Sequence, residues 1–210
     1  KKVDGKGTIV EKTWTSTDGT VRKQVLNNDG THSRHTVDAN GRVRDSILKD
    51  GTLIKQTETR PDGSRQDFIR NADGSTIITE YKTDGSTSII NNNANGTFDK
   101  RIVDSTGITI EQTWTDTKGT IRTQKVGSDG NHYRHTVESD GSFRDTLFTQ
   151  NGKILKQTFG EGNKIYKEVE YLANGGSNTI EFNSDGTKKS TFANKNGTFE
   201  SRMVDSKGRI

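Results

Sequence analysis

The chain has 210 residues, of which only 25% are hydrophobic and 29% are charged, with 23 glycines, one proline and no cysteine. An apolar share of about half that of an ordinary globular domain argues against a thick two-layer core. The net charge of +4 is spread along the chain and no apolar run reaches the length of a membrane span, so we expect neither nucleic-acid binding nor membrane insertion, and the lack of cysteine excludes thiol chemistry.

Glycine, usually preceded by Asp or Asn, recurs about every 11 residues from Gly7 to Gly208. Asp-Gly and Asn-Gly favour tight two-residue hairpin turns, and the Thr, Val, Ile and Phe between them favour strands. Each interval is therefore predicted to be one strand and one turn. The expected fold is all-β, an antiparallel meander of about 18 strands, with a β-solenoid as the alternative.

Apolar and charged positions share the same face of these predicted strands. The second position after glycine is often apolar, as at Val21 and Val43, whereas the middle of that face is charged, as at Lys23 and Asp45. A sandwich needs one continuous dry face per sheet. We therefore expect a single-layer or thin extended sheet.

Three of the intervals, which begin at Gly7, Gly51 and Gly107, contain 12 residues. An extra residue shifts every later side chain to the other face unless the strand absorbs it. We expect a β-bulge in each of these three intervals to restore the register.

The sequence also contains a longer repeat, of about 100 residues. GTIVEKTWTSTDGTVRKQ, which begins at Gly7, matches GITIEQTWTDTKGTIRTQ, which begins at Gly107. This duplication predicts a first module at 1–106, a second at 107–207 and the start of a further module at 208–210, as expected of an excerpt from a longer tandem array. Each module should contain nine strands. The match is weakest at ETRPDG, where the second module has TFGEGNK and a remodelled turn is expected.

The only histidine cluster is His32 and His35, repeated as His132 and His135. Residues three apart in a strand point to opposite faces, so each pair is unable to close on one ion without a bulge. The sequence therefore predicts no metal site, and the histidines are expected to pack and hydrogen-bond across strands.

Trp14 and Trp114 lie in Thr-Trp-Thr contexts. Each is the largest hydrophobe available to a core poor in apolar residues, and packing is the favoured interpretation. The alternative is contact with a protein partner or a glycan, because an indole on a flat sheet can stack on a sugar ring.

Asn95 and Asn196 begin Asn-Gly-Thr sequons at equivalent module positions and are possible glycosylation sites. Asn-Gly-Thr is also a good hairpin turn that enters a strand, and this second interpretation is favoured. No catalytic or cofactor motif is recognised, so no catalytic residue and no cofactor are expected, and an enzyme is disfavoured because an open sheet offers no closed cleft.

The segment PDGSRQDFIRNADGSTIITEYKTDGS, which begins at Pro61, resembles the glycine-rich G-box of centriolar scaffold proteins of the CPAP/SAS type. The resemblance implies a single free-standing antiparallel sheet, in a scaffold that binds a partner peptide and stacks end to end. This chain departs from the G-box pattern because Pro precedes only one Asp-Gly turn and the module is about 100 residues long.

The expected function is that of a structural repeat protein, a fibre, stalk or filament at the cell surface or outside the cell. It would associate with further copies of the module or through its sheet edges. The alternative is a binding module, either a cytoskeletal scaffold of G-box type or an adhesin for a peptide or glycan.

Overall fold

A computed structural model describes residues 1–209, and Ile210, which belongs to the expected start of a further module at 208–210, lies outside the described residues. The chain is all-β, an open antiparallel meander of 19 strands. The first ten strands are β1 Lys2–Val3, β2 Ile9–Thr15, β3 Val21–Leu26, β4 His32–Val37, β5 Val43–Lys49, β6 Thr52–Thr59, β7 Arg65–Arg70, β8 Thr76–Tyr81, β9 Thr87–Asn92 and β10 Phe98–Val103. The others are β11 Thr109–Thr115, β12 Ile121–Val126, β13 His132–Val137, β14 Ser142–Phe148, β15 Ile154–Glu161, β16 Lys164–Tyr171, β17 Ser177–Phe182, β18 Lys188–Ala193 and β19 Phe199–Val204.

The predicted strand count is confirmed. Nine strands, β2 to β10, lie between Gly7 and Gly107, and nine more, β11 to β19, follow up to Gly208. The nineteenth strand is the two-residue β1. The chain divides into two compact units, Lys1–Ile110 and Glu111–Ile210, with the division inside β11.

Each unit is a single layer. Within a unit the contacts between strands join only strands that are consecutive in the chain. Val169 is the one hydrophobic residue buried among residues 1–209, and the others buried there besides glycine are Thr, Ser and Glu. The accessible surface of 13707 Å² compares with about 9,700 Å² for a compact globular protein of this mass. The expectation of a thin sheet is therefore confirmed.

The turns differ from the expected two-residue type. Between β2 and β3, Ser16 N–H donates to Thr20 O at 2.9 Å and Gly19 N–H donates to Ser16 O at 3.0 Å, which encloses a three-residue loop. Asp18 accepts from Thr20 N–H at 2.9 Å, and only Gly19 has a positive φ, 80°. This arrangement recurs at most turns. A three-residue loop needs only one residue with a left-handed backbone, which is the glycine, and the aspartate before it can accept a hydrogen bond from the backbone N–H at the start of the next strand.

A two-residue turn occurs where two successive glycines, Gly41 and Gly51, are closer together than the usual 11 residues. Lys49 pairs directly with Thr52, and both Asp50 and Gly51 have positive φ, 49° and 78°. Another two-residue turn lies between the paired residues Glu161 and Lys164, and there Gly162 has a positive φ of 56°. This is the turn that the sequence predicted to be remodelled.

The bulges expected after Gly7 and Gly51 are confirmed. Lys2 pairs with Glu11 and Val3 with Ile9, which leaves Val10 unpaired. Ile47 pairs with Lys55 and Leu48 with Leu53, which leaves Ile54 unpaired. For the interval after Gly107 the bulge stays a prediction. Two bulges that were not predicted occur in β15 and β16, where Leu155 and Tyr166 are skipped by the register.

Candidate binding surface on the tryptophan face

Strand alternation gives each unit two faces. We call the side that carries the tryptophan the tryptophan face, and the opposite side the histidine face. The tryptophan face carries Trp14, Gln24 and Arg34 in the first unit and Trp114, Gln124 and Arg134 in the second. The histidine face carries His35 and Asp45 in the first unit and His135 and Asp145 in the second.

Trp14 is half-buried, on a strand whose neighbours are polar. The Lys12 ammonium lies 4.8 Å from the centre of its ring, within range of a cation–π contact. A shallow depression of about 360 Å³ surrounds the indole. It is lined by Ile9, Val10, Glu11, Lys12, Trp14, Gln24, Leu26, His32 and Arg34.

Arg34 and Arg134 are held by glutamine across the neighbouring strand. Arg34 Nη2 donates to Gln24 Oε1 at 3.1 Å, and its buried Nε has no hydrogen-bond partner among residues 1–209. Arg134 donates to Gln124 Oε1 through both Nε, at 3.1 Å, and Nη2, at 2.7 Å. Among residues 1–209 neither guanidinium has a carboxylate within salt-bridge distance.

Aromatic rings flank the guanidinium in the second unit. Arg134 lies 5.9 Å from the ring centre of Trp114 and 5.2 Å from that of Phe148. Phe148 in turn stacks on His132, with ring centres 5.4 Å apart and an interplanar angle of 4°. The first unit has Leu48 where the second has Phe148. A half-buried indole can stack against a flat ligand, and the donor groups beside the indole can donate hydrogen bonds to that ligand.

The histidines occupy the faces that the sequence predicted. Cross-strand pairing places His32 on the tryptophan face and His35 on the histidine face. His35 Nδ1 lies 2.7 Å from Asp45 Oδ1, and His135 Nδ1 lies 2.6 Å from Asp145 Oδ1. In the described part of the chain no three metal-ligating side chains come together. Burial, followed by the hydrogen bond to Asp145, raises the pKa of Tyr133 to about 12.

Asn95 and Asn196 lie in exposed turns. Asn95 Oδ1 accepts from Thr97 N–H at 3.1 Å and from Thr97 Oγ1 at 2.8 Å. Asn196 and Thr198 form the same two bonds at the same distances. Both asparagines therefore take the role that aspartate has in other turns. Their glycosylation stays a prediction.

Sequence reasoning missed a charged cluster on the tryptophan face of the first unit. The side chain of Glu58 is 10% exposed and accepts from Arg44 Nε at 2.7 Å and from Arg60 Nε at 3.2 Å. Arg42 lies 3.8 Å away, and Arg60 also binds Glu80 at 3.0 Å. Burial by itself would raise the pKa of Glu58, but the bond from Arg44 and the three arginine charges hold that pKa below its ordinary value.

The remodelled hairpin of β15 and β16 exposes an apolar patch that the sequence did not indicate. Ile165 and Tyr166 are 45% and 48% exposed, beside a depression of about 1050 Å³ that also contacts Phe182. The bulge at Tyr166 displaces this strand segment from the regular ladder. The weak match to the first module was the one signal in the sequence that this hairpin differs.

Comparison with protein-family models gave no match, and comparison with curated proteins gave none either. Among the described residues no helix is long and apolar enough to cross a membrane.

Proposed function

We propose that the chain is a non-catalytic structural repeat, an extended β-sheet spacer of a fibre, stalk or filament, at the cell surface or outside the cell. The observation that supports this most is that strands within a unit contact only their chain neighbours. The stability of such an array is close to a sum of local terms, so modules can be added without rebuilding a core.

Lateral or end-to-end association is part of the proposal. On β19, Phe199 and Met203 are 68% and 50% exposed. A strand with exposed apolar side chains and free backbone groups is a template for a further strand, from another module or another copy of the chain. The scaffold or adhesin interpretation is the second candidate, and the clusters around Trp14 and Trp114 support it.

Small-angle scattering tests the spacer proposal. A compact protein of this length has a radius of gyration of about 17 Å, and we expect the measured value for the monomer to be well above this. A longer chain in which both modules are duplicated should increase the longest dimension in proportion to the number of modules. A radius close to the compact value, or a duplicated chain that grows only as a sphere would, contradicts the proposal.

A further inference from the structure

We propose that the tryptophan face carries one saccharide-binding site per module, built from Trp14, Gln24 and Arg34 and again from Trp114, Gln124 and Arg134. The ligand is a polysaccharide whose pyranose rings bear carboxylates, that is, a polyuronate. This goes beyond the spacer function, because a spacer needs no ligand on its faces.

The first support is the aromatic platform. Both indoles are half-buried on an open face instead of being enclosed in a core, and Trp14 borders a shallow depression of about 360 Å³. The apolar face of a pyranose ring can stack on such an indole, since both surfaces are flat. A shallow site on a sheet suits an extended polymer better than a compact small molecule.

The second support is uncompensated positive charge. Several other arginines of this face have an acidic partner, as Arg44 has Glu58 and Arg122 has Asp116. Arg34 and Arg134 have none among residues 1–209, although each module places them beside the indole. Glu11 also borders the first site, but its carboxylate pairs with Lys23 on the histidine face, at 3.3 Å.

The third support is that the guanidinium is already oriented. Gln124 accepts two hydrogen bonds from Arg134, and Trp114 and Phe148 flank the same guanidinium. A planar guanidinium held through Nε and Nη2 still has its Nη1–Nη2 edge, which can bind a carboxylate through two parallel hydrogen bonds with little loss of side-chain entropy. The donor set therefore favours a ring with a carboxylate over a neutral sugar.

The repetition of the site in both modules favours a polymeric ligand. The same three residue types recur about 100 residues later, so each chain has two copies of the site. A repeating ligand offers many copies of the same ring, so that each module can bind one of them. Single-stranded nucleic acid is also an anionic polymer that stacks on tryptophan, so it is the competing ligand that a binding experiment must include.

Titration with oligogalacturonate, followed by tryptophan fluorescence, tests the proposal. The chain has two tryptophans, so any change in emission reports on these two sites. We expect saturable binding of oligogalacturonate, and no comparable binding of a neutral dextran oligomer, polyglutamate or single-stranded DNA. The double variant Arg34→Gln with Arg134→Gln should weaken binding by about ten- to hundredfold, the range for lost hydrogen bonds to a charged group.

The matched control is Lys55→Gln with Lys156→Gln, which removes the same charge from equivalent positions of the histidine face. It should bind as the unaltered chain does, and circular dichroism should show that both variants keep the sheet. Arg34→Lys with Arg134→Lys keeps the charge but loses the planar fork, and should bind with intermediate strength. Equal weakening in the glutamine variants of both faces, equal binding of polyglutamate or DNA, or no binding of oligogalacturonate would overturn the proposal.

Discussion

At the scale of single residues, the turn glycines determine where the strands end. Gly85 has a φ of +81°, and a β-carbon placed on it would lie 2.9 Å from the β-carbon of Ser105, two turns further along the chain. Gly74 has a φ of +87° but nothing within 4 Å of such a β-carbon. Alanine substitution at these two glycines therefore distinguishes the cost of backbone strain from the cost of crowding between turns.

Gly74→Ala should reduce the free energy of unfolding by about 1 to 2 kcal/mol, the cost of a left-handed backbone for a residue with a β-carbon. Gly85→Ala should cost more, because Ser105 must also move. Gly5 has no positive φ and open space around it, so Gly5→Ala should leave stability within about 0.5 kcal/mol. Urea unfolding of the three variants checks this order, and equal losses at Gly74 and Gly85 would contradict the crowding contribution.

At the scale of elements, neighbouring strands of the tryptophan face are joined by side chains. In the first module Glu58 on β6 binds Arg44 on β5, and Arg60 continues to Glu80 on β8. The second module has Phe159 at the place of Glu58, on the paired strands β14 and β15. An ionic cluster in one module is thus replaced by an aromatic ring in the other.

Glu58→Gln should lower the free energy of unfolding by about 1 to 3 kcal/mol near neutral pH, because Arg42 and Arg44 lose their carboxylate partner and Arg60 keeps only Glu80. The folded pKa of Glu58 lies below its ordinary value of 4.5, so its stabilisation is present above that value and is lost as the pH falls through the folded pKa. The gap between variant and unaltered chain should therefore shrink in acid.

Denaturant unfolding between neutral and acid pH measures this gap. Glu80→Gln is the control, since Glu80 is 36% exposed and binds one arginine, and it should cost less. A gap that is constant with pH, or a larger effect at Glu80, would show that the charge of Glu58 does not stabilise the cluster.

At the scale of the whole molecule, cohesion comes mainly from backbone ladders. Little apolar surface is buried, and the accessible area stays at 13707 Å² in the folded chain. Apolar exposure is what raises the heat capacity on unfolding. Stability in a sheet of this kind therefore depends on hydrogen bonds and cross-strand pairs more than on a core.

Scanning calorimetry should give a heat-capacity change of unfolding below about 12 cal/mol/K per residue, the lower end of the globular range. The reason is that unfolding exposes less apolar area than it does in a domain with a core. A control measurement over a range of protein concentrations shows whether association contributes. A value inside the globular range for the monomer would mean that more apolar surface is buried than the single layers account for.

The sequence alone determined the elements and their faces. Glycine spacing located the strands, the opposite faces of His32 and His35 followed from alternation, and the extra residues at Val10 and Ile54 followed from interval length. These features are local, since a turn and a period of two act over a few residues. The mixture of apolar and charged positions likewise sufficed to predict a thin sheet.

Only the tertiary structure decided which side chains meet. The glutamine that holds Arg34 lies on the preceding strand, and the carboxylate of Glu80 that binds Arg60 lies 20 residues away in the chain. Such contacts depend on the register between strands, which is set by the length of each loop. Most loops have three residues instead of the expected two. The positions of charged residues in the repeat predicted a partly charged face, whereas pairing across strands left Arg34 and Arg134 beside the indoles with no carboxylate partner among residues 1–209.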